Sequence, residues 1–294
     1  MIFKDVAKNK TKTVFIVTLF IIFVAAIVYF LSVIFFKDVY IAVAIGLAVS
    51  IISALISYYS CDKLVLSING ARPATRDEFL QLNVSLEGLC LAAGLPLPKL
   101  YVMDSPALNA FATGRNPEHA VICVTTGLLN KLDKYEMEGV LAHELSHIKN
   151  YDILLSTVAI IMVGFVTIIA DIVARSVFFR SNDSDNKAGA LLVVIGLVFI
   201  ILSPIFANLL KLAISRNREY LADATAVQLT RNKEGLINAL AKLETENEPV
   251  RTANSASESL FIVNPLKGTK KDKDSMFSTH PSTTNRIERL RSIN

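Results

Sequence analysis

The sequence predicts a mainly α-helical integral membrane protein with a small β-sheet, in which about four transmembrane helices alternate with two polar stretches that fold together. Three observations carry this. Hydrophobic residues make up 52% of the 294, mean hydropathy is +0.47 and Trp is absent, which is too apolar for a soluble domain of this length. Apolar runs at residues 14–36, 39–59, 153–170 and 191–208 match or approach the roughly 20 residues that a helix needs to cross a hydrocarbon core. The intervening stretches are mixed in composition and carry both strand-like and helix-like patterns.

The predicted divisions are a transmembrane hairpin over 1–60, the first part of the polar domain over 61–152, a second hairpin over 153–210 and the rest of the polar domain over 211–294. Run 14–36 ends in Phe-Phe-Lys-Asp and not at a small-residue cleavage site, which favours a retained span over a signal peptide. Only Lys37 and Asp38 separate it from run 39–59. Asp171 and Arg175 flank the third run as an i, i+4 pair, and Pro204 interrupts the fourth, so these two runs fit spans or kinked, partly buried helices.

In the polar domain, residues 77–93 read as an amphipathic helix built on Phe79, Leu82, Leu86 and Leu89 and closed by Gly94 and Pro96. Residues 98–103 and 120–125 read as strands with 109–114 between them, the second leading through Gly127 to the next helix. Beyond Asp223 a helix runs to Leu229 and another covers 234–243. Residues 282–292 form a short helix with Ile287 and Leu290 inward and Arg286, Glu288, Arg289 and Arg291 mostly outward. The polar segments 244–259 and 268–275 are candidates for a lid.

A net charge of +4 with interspersed signs does not indicate a nucleic-acid partner. Cys61, Cys90 and Cys123 lack C-x-x-C spacing and read as buried free thiols in a reducing compartment. Lys4, Lys8, Lys10, Lys12, Lys63, Arg72, Arg76, Lys149, Lys211, Arg216 and Arg218 flank one side of the spans, against Lys37, Arg175, Arg180 and Lys187 on the other. The polar domain is therefore expected on the cytoplasmic face of a cell membrane.

The chemistry concentrates in His143-Glu144-Leu145-Ser146-His147. On a helix the two histidines lie one turn apart on one face, placed for a single Zn2+ ion, and Glu144 points its carboxylate at water without ligating. Asp133 with Glu136 gives a capping-box start, and Met137, Val140, Leu141, Leu145 and Ile148 form an apolar stripe, so the motif belongs to a buried helix. An unpaired histidine pair would be costly there. A third ligand is best sought in Glu219-Tyr220-Leu221-Ala222-Asp223, where Glu219 and Asp223 share a face: Glu219 would ligate and Asp223 would accept a histidine N–H. A solvated face with Arg216 and Glu219 paired at i, i+3 is the alternative. His119, with no partner at ligand spacing, reads as a surface residue.

These two motifs, with Asn109-Ala110-Phe111-Ala112-Thr113-Gly114 upstream and Thr279-His280-Pro281 near the end, resemble the HtpX-type membrane zinc metalloproteases over nearly the whole chain. The resemblance implies a cytoplasmic zincin-like metalloprotease domain in which His143, His147 and Glu219 bind one zinc ion and Glu144 is the catalytic base. It implies that Asn109, Ala110, Phe111 and Ala112 lie along the substrate, and that His280 lies near the site, where it would donate to a developing oxyanion or gate the metal. The implied function is an endopeptidase acting on misfolded or damaged membrane proteins in quality control and stress response, with the lipid bilayer as its other partner. A prenyl-peptide processing protease and a non-catalytic zinc-containing membrane scaffold are the alternatives.

Overall fold

A computed structural model describes residues 39–158, 216–246, 248–253, 257–266 and 281–293, together with 7, 9–19, 21, 22, 25 and 29 of the N-terminal segment. The bulk of runs 14–36 and 153–170, all of run 191–208, segment 268–275 and His280 lie outside these residues.

Among the described helices are α1 (Val39–Ile68), α2 (Leu80–Ala93), α3 (Thr126–Lys131), α4 (Lys134–Lys149), α5 (Arg216–Thr230), α6 (Lys233–Thr245) and α7 (Thr283–Arg291), and residues 9–19 and 152–158 are helical as well. The strands β1 (Ala71–Pro73), β2 (Lys99–Met103), β3 (Ala110–Gly114) and β4 (Ala120–Thr125) form one mixed sheet in the order β1-β2-β4-β3. Only the β2–β4 pairing is parallel, with Tyr101 opposite Cys123; β1 pairs antiparallel with β2, and β3 with β4.

Local chemistry explains most of the boundaries. The capping box is present: the Asp133 carboxylate accepts the Glu136 N–H at 2.9 Å and the Glu136 carboxylate accepts the Asp133 N–H at 2.8 Å, which fixes where α4 starts. Helix α2 ends at Gly94, whose φ of 66° is the left-handed turn that glycine takes without steric cost. It begins at Leu80 and not at Asp77, because residues 76–79 form turns. Arg72 and Glu78 are paired through two hydrogen bonds beside those turns.

The sheet is buried on both faces. Leu100, Val102, Ile122 and Val124 pack with Leu86 of α2 and with Val140, Leu141 and Leu145 of α4 in the main core, to which α6 adds Leu236 and α7 adds Leu290. Helices α4 and α6 cross so closely that a Cβ on Gly139 would lie 2.9 Å from the Leu236 backbone. The opposite face meets the end of α1 through Val65 and Leu66, which cluster with Phe111, Cys123 and Phe261. Cys61, Cys90 and Cys123 are free and buried, and burial pushes the Cys90 thiol up to about 11.

Among the described residues, no helix is long and apolar enough to cross a membrane. Helix α1 has 30 residues, and its Ile41, Leu47, Ile51, Ile52, Leu55 and Ile56 are each about half exposed. At the start of the third run, Ile153, Leu155 and Val158 are buried. The expectation that Arg286 faces outward is overturned: it is 1% exposed, because its charge is matched by a buried carboxylate.

Candidate metal centre

Helix α4 carries His143, Glu144 and His147, and α5 carries Glu219 and Asp223. The two helices pack so that one ligand atom from each of His143, His147 and Glu219 falls within 4.8 Å of the others. The Nε2 atoms of the two histidines face each other at 3.2 Å, with Glu219 Oε2 3.5 Å from that of His143 and Oε1 3.6 Å from that of His147. The other nitrogen of each ring points at a carboxylate: His143 Nδ1 at Asp223 Oδ1, 3.0 Å away, and His147 Nδ1 at Asp152 Oδ2, 3.1 Å away. Donating both Nδ1–H groups this way leaves both Nε2 lone pairs turned into the same small space beside a carboxylate.

That donor set fits a divalent cation. Four buried carboxylates, those of Glu144, Asp152, Glu219 and Asp223, face two guanidiniums, those of Arg218 and Arg286. The surplus shows in the imidazoles. Burial alone would lower His147, but Glu219, Asp152 and Glu144 push it up to about 9. Burial and Arg286 act to lower His143, yet the hydrogen bonds to Asp223 and Glu219 carry it upward. A divalent ion balances this charge without protonating its own ligands.

Glu144 is 1% exposed, and burial raises its carboxyl above the usual range against the pull of the two histidines. With His147 and Glu219 it lines a small cavity of about 30 Å³, closed on another side by Ser259, Leu260, Phe261 and Ile262. A space of this size takes a water molecule.

Two holding groups did not emerge from the sequence reading. Arg286 of α7 grips Asp223 with both branches, Nε to Oδ2 at 2.9 Å and Nη2 to Oδ1 at 2.7 Å, and its Nη1 donates to the Ile262 carbonyl at 2.8 Å. Burial would raise Asp223, but Arg286 and then His143 hold it below the ordinary carboxylate range. Asp152 sits just past the end of α4 and also accepts from Arg218 Nη1 at 3.0 Å. The available sequence signals were the polar Asn150-Tyr151-Asp152 step between the helix and the third apolar run, and the i, i+4 spacing that puts Arg286 on the same face as Leu290.

The 109–114 stretch forms the sheet edge, but that edge is paired from within the chain. Phe111 bridges Phe261 in antiparallel fashion, and the Ile262 N–H donates to the Ala110 carbonyl at 2.9 Å. Asn109 is 2% exposed and donates its amide to the Val263 carbonyl at 3.0 Å, so its side chain is spent on holding this segment. His119 is exposed and bonded to Asn116, away from the ligand cluster.

The sequence profile of peptidase family M48 matches residues 77–294. A Protease HtpX homolog of Listeria monocytogenes is 41% identical, with 100% of both chains covered. One from Dictyoglomus thermophilum is 50% identical over 80% of this chain and 76% of its own. Among solved structures, that of S. mikatae Ste24p superposes with a TM-score of 0.50 at 21% identity, covering 98% of this chain and 66% of that one, a likeness of fold alone.

Proposed function

The chain belongs to peptidase family M48 and is a metalloprotease of the HtpX type; from that premise we propose that it is a zinc-dependent endopeptidase embedded in the cell membrane. In this reading it cleaves misfolded or damaged membrane proteins at the cytoplasmic face. The observation that carries the enzymatic part is the convergence of His143, His147 and Glu219 beside the buried Glu144 carboxylate.

His143, His147 and Glu219 would hold the ion, and two nitrogens with one oxygen are a zinc donor set that leaves a fourth position open. When bound, zinc supplies a Lewis acid that polarises the scissile carbonyl and acidifies water. Asp223 and Asp152 fix the two imidazoles by accepting their Nδ1–H groups, and Arg286 fixes Asp223. Glu144 takes a proton from water in the cavity that it lines and passes it to the leaving amine. Its raised proton affinity suits a group that must first accept and then give up that proton. A role for His280 as a donor or gate at the site rests on the family resemblance, since this residue lies outside the described ones.

Substrate would lie extended along Ala110 to Ala112, aligned by main-chain hydrogen bonds, and so with weak sequence preference. It must compete for that edge with Leu260–Ile262. Phe261→Ala removes the edge-to-face contact with Phe111, centroids 5.0 Å apart, that helps to keep the segment in place. The variant is expected to cleave an unfolded test protein with a lower KM than the wild type; an unchanged or higher KM would place the substrate elsewhere.

Membrane embedding is supported by the run 14–36 and by the exposed apolar side chains of α1, which at 1.5 Å per residue is about 45 Å long. The lysines and arginines favour a cytoplasmic site, where loops and ends of damaged membrane proteins emerge. The proposed division into hairpins over 1–60 and 153–210 with a domain of two parts, 61–152 and 211–294, follows from the same runs. Purified in detergent, the enzyme should cleave an unfolded test protein, lose that activity on chelation and regain it with zinc. Cleavage indifferent to chelation would overturn the metal mechanism.

A further inference from the structure

His147 is one of the three ligand residues, and the carboxylate that orients it, Asp152, opens the helical stretch 152–158 directly after a tight turn at 150–151 that local backbone bonds and residues distant in sequence hold together. Helix α4 ends at Lys149, and Tyr151 takes a left-handed φ of 59°, a strained conformation for a bulky residue that persists only where neighbours hold it. The neighbours come from more than 140 positions away in sequence. Asn9, 5% exposed, donates through Nδ2 to the Asn150 carbonyl at 2.9 Å and to Asp152 Oδ1 at 2.7 Å. Lys10 places its ammonium 4.2 Å from the centre of the Tyr151 ring. Asn150, Tyr151 and Asp152 are thus each contacted by one of two consecutive N-terminal residues.

We propose that Asn9 is a positioning residue of the metal centre, acting through Asp152 on His147, so that the segment leading into the first apolar run helps to set the site's metal affinity. This rests on the metal reading of the preceding section. Both amide hydrogens of Asn9 serve the turn. One secures the backbone at residue 150, and the other joins Arg218 Nη1 on Asp152 Oδ1, leaving Oδ2 for His147 Nδ1. Without Asn9, Arg218 is the one partner left on Asp152 Oδ1 among the described residues, and the strained turn that leads into Asp152 loses its side-chain support. The imidazole then loses its fixed tautomer and orientation.

The test is a double-mutant cycle on the full-length chain in detergent, with zinc affinity read by competition against a chromophoric chelator. Asn9→Ala is expected to weaken zinc binding by about tenfold, the lower end of what losing an outer-shell partner costs. Asp152→Asn should weaken it at least as much. Because Asn9 acts through Asp152, adding Asn9→Ala to Asp152→Asn should change affinity no further. If Asn9→Ala does not fold, Lys10→Met, which removes only the cation over Tyr151, carries the same cycle with a smaller shift in the same direction. An unchanged zinc affinity with a lowered melting temperature would make Asn9 an ordinary structural contact and overturn the proposal, as would full additivity with Asp152→Asn. A wild-type chain that binds no zinc would instead overturn the metal reading itself.

Discussion

Glu144→Gln is expected to lower kcat on an unfolded test protein by at least about 10²–10⁴-fold, the range for losing a positioned general base, while zinc content and melting temperature stay at wild-type values. The amide matches the carboxylate in shape, so the cavity beside His147 and Glu219 keeps its outline. What is lost is the ability to accept a proton. Glu144 is not among the three ligand residues, so metal retention should not follow activity down. The outcome also separates the enzyme from a zinc-containing membrane scaffold, which has no use for a base at this position. Cleavage surviving the substitution would remove Glu144 from the mechanism.

The second large effect is expected at Arg286. Its guanidinium is 1% exposed and closes a two-pronged pair on Asp223, itself 3% exposed. Arg286→Leu leaves a buried carboxylate facing only His143, and stranding one member of such a pair costs about 3–5 kcal/mol. A large fall in melting temperature should result. Arg286→Lys keeps the charge but not the fork, so an intermediate loss is expected. Replacing both partners, Arg286→Leu with Asp223→Leu, should recover part of the stability, because the Asp223 carboxylate is no longer stranded, while the Ile262 carbonyl and the His143 Nδ1–H still lack the groups that served them. Zinc affinity should stay low in that double variant, since His143 no longer has its acceptor. Full recovery of affinity would mean that Asp223 does not orient His143.

The contrast between Arg286 and Glu144 shows what the sequence can carry. The H-E-x-x-H spacing and the capping box at Asp133 lie within single turns of one helix, where 3.6-residue periodicity dictates geometry, and α4 follows them. The strands at 99–103 and 120–125 were legible as short β-rich runs for the same local reason. Arg286 was misplaced because a charged side chain on an amphipathic helix is read as solvated by default. Its burial is decided by a carboxylate 63 positions earlier in sequence. Asp152 and Asn9 were missed on the same ground, being brought together across 143 positions. The three-residue strand β1 was too short to announce itself. That β3 lies at the sheet edge and that Leu260–Ile262 pairs with it are again long-range facts.

The effects on cleavage and zinc affinity depend on two helices, α4 and α5, sharing one cation between His143, His147 and Glu219. The direct measurement is metal analysis of the detergent-purified chain, wild type beside Glu219→Ala. The wild type should carry about one zinc per chain and the variant almost none, since a site left with two imidazoles lacks its third protein ligand. Equal zinc in both proteins would contradict the account, because the ion would then be held without the carboxylate that joins the two helices.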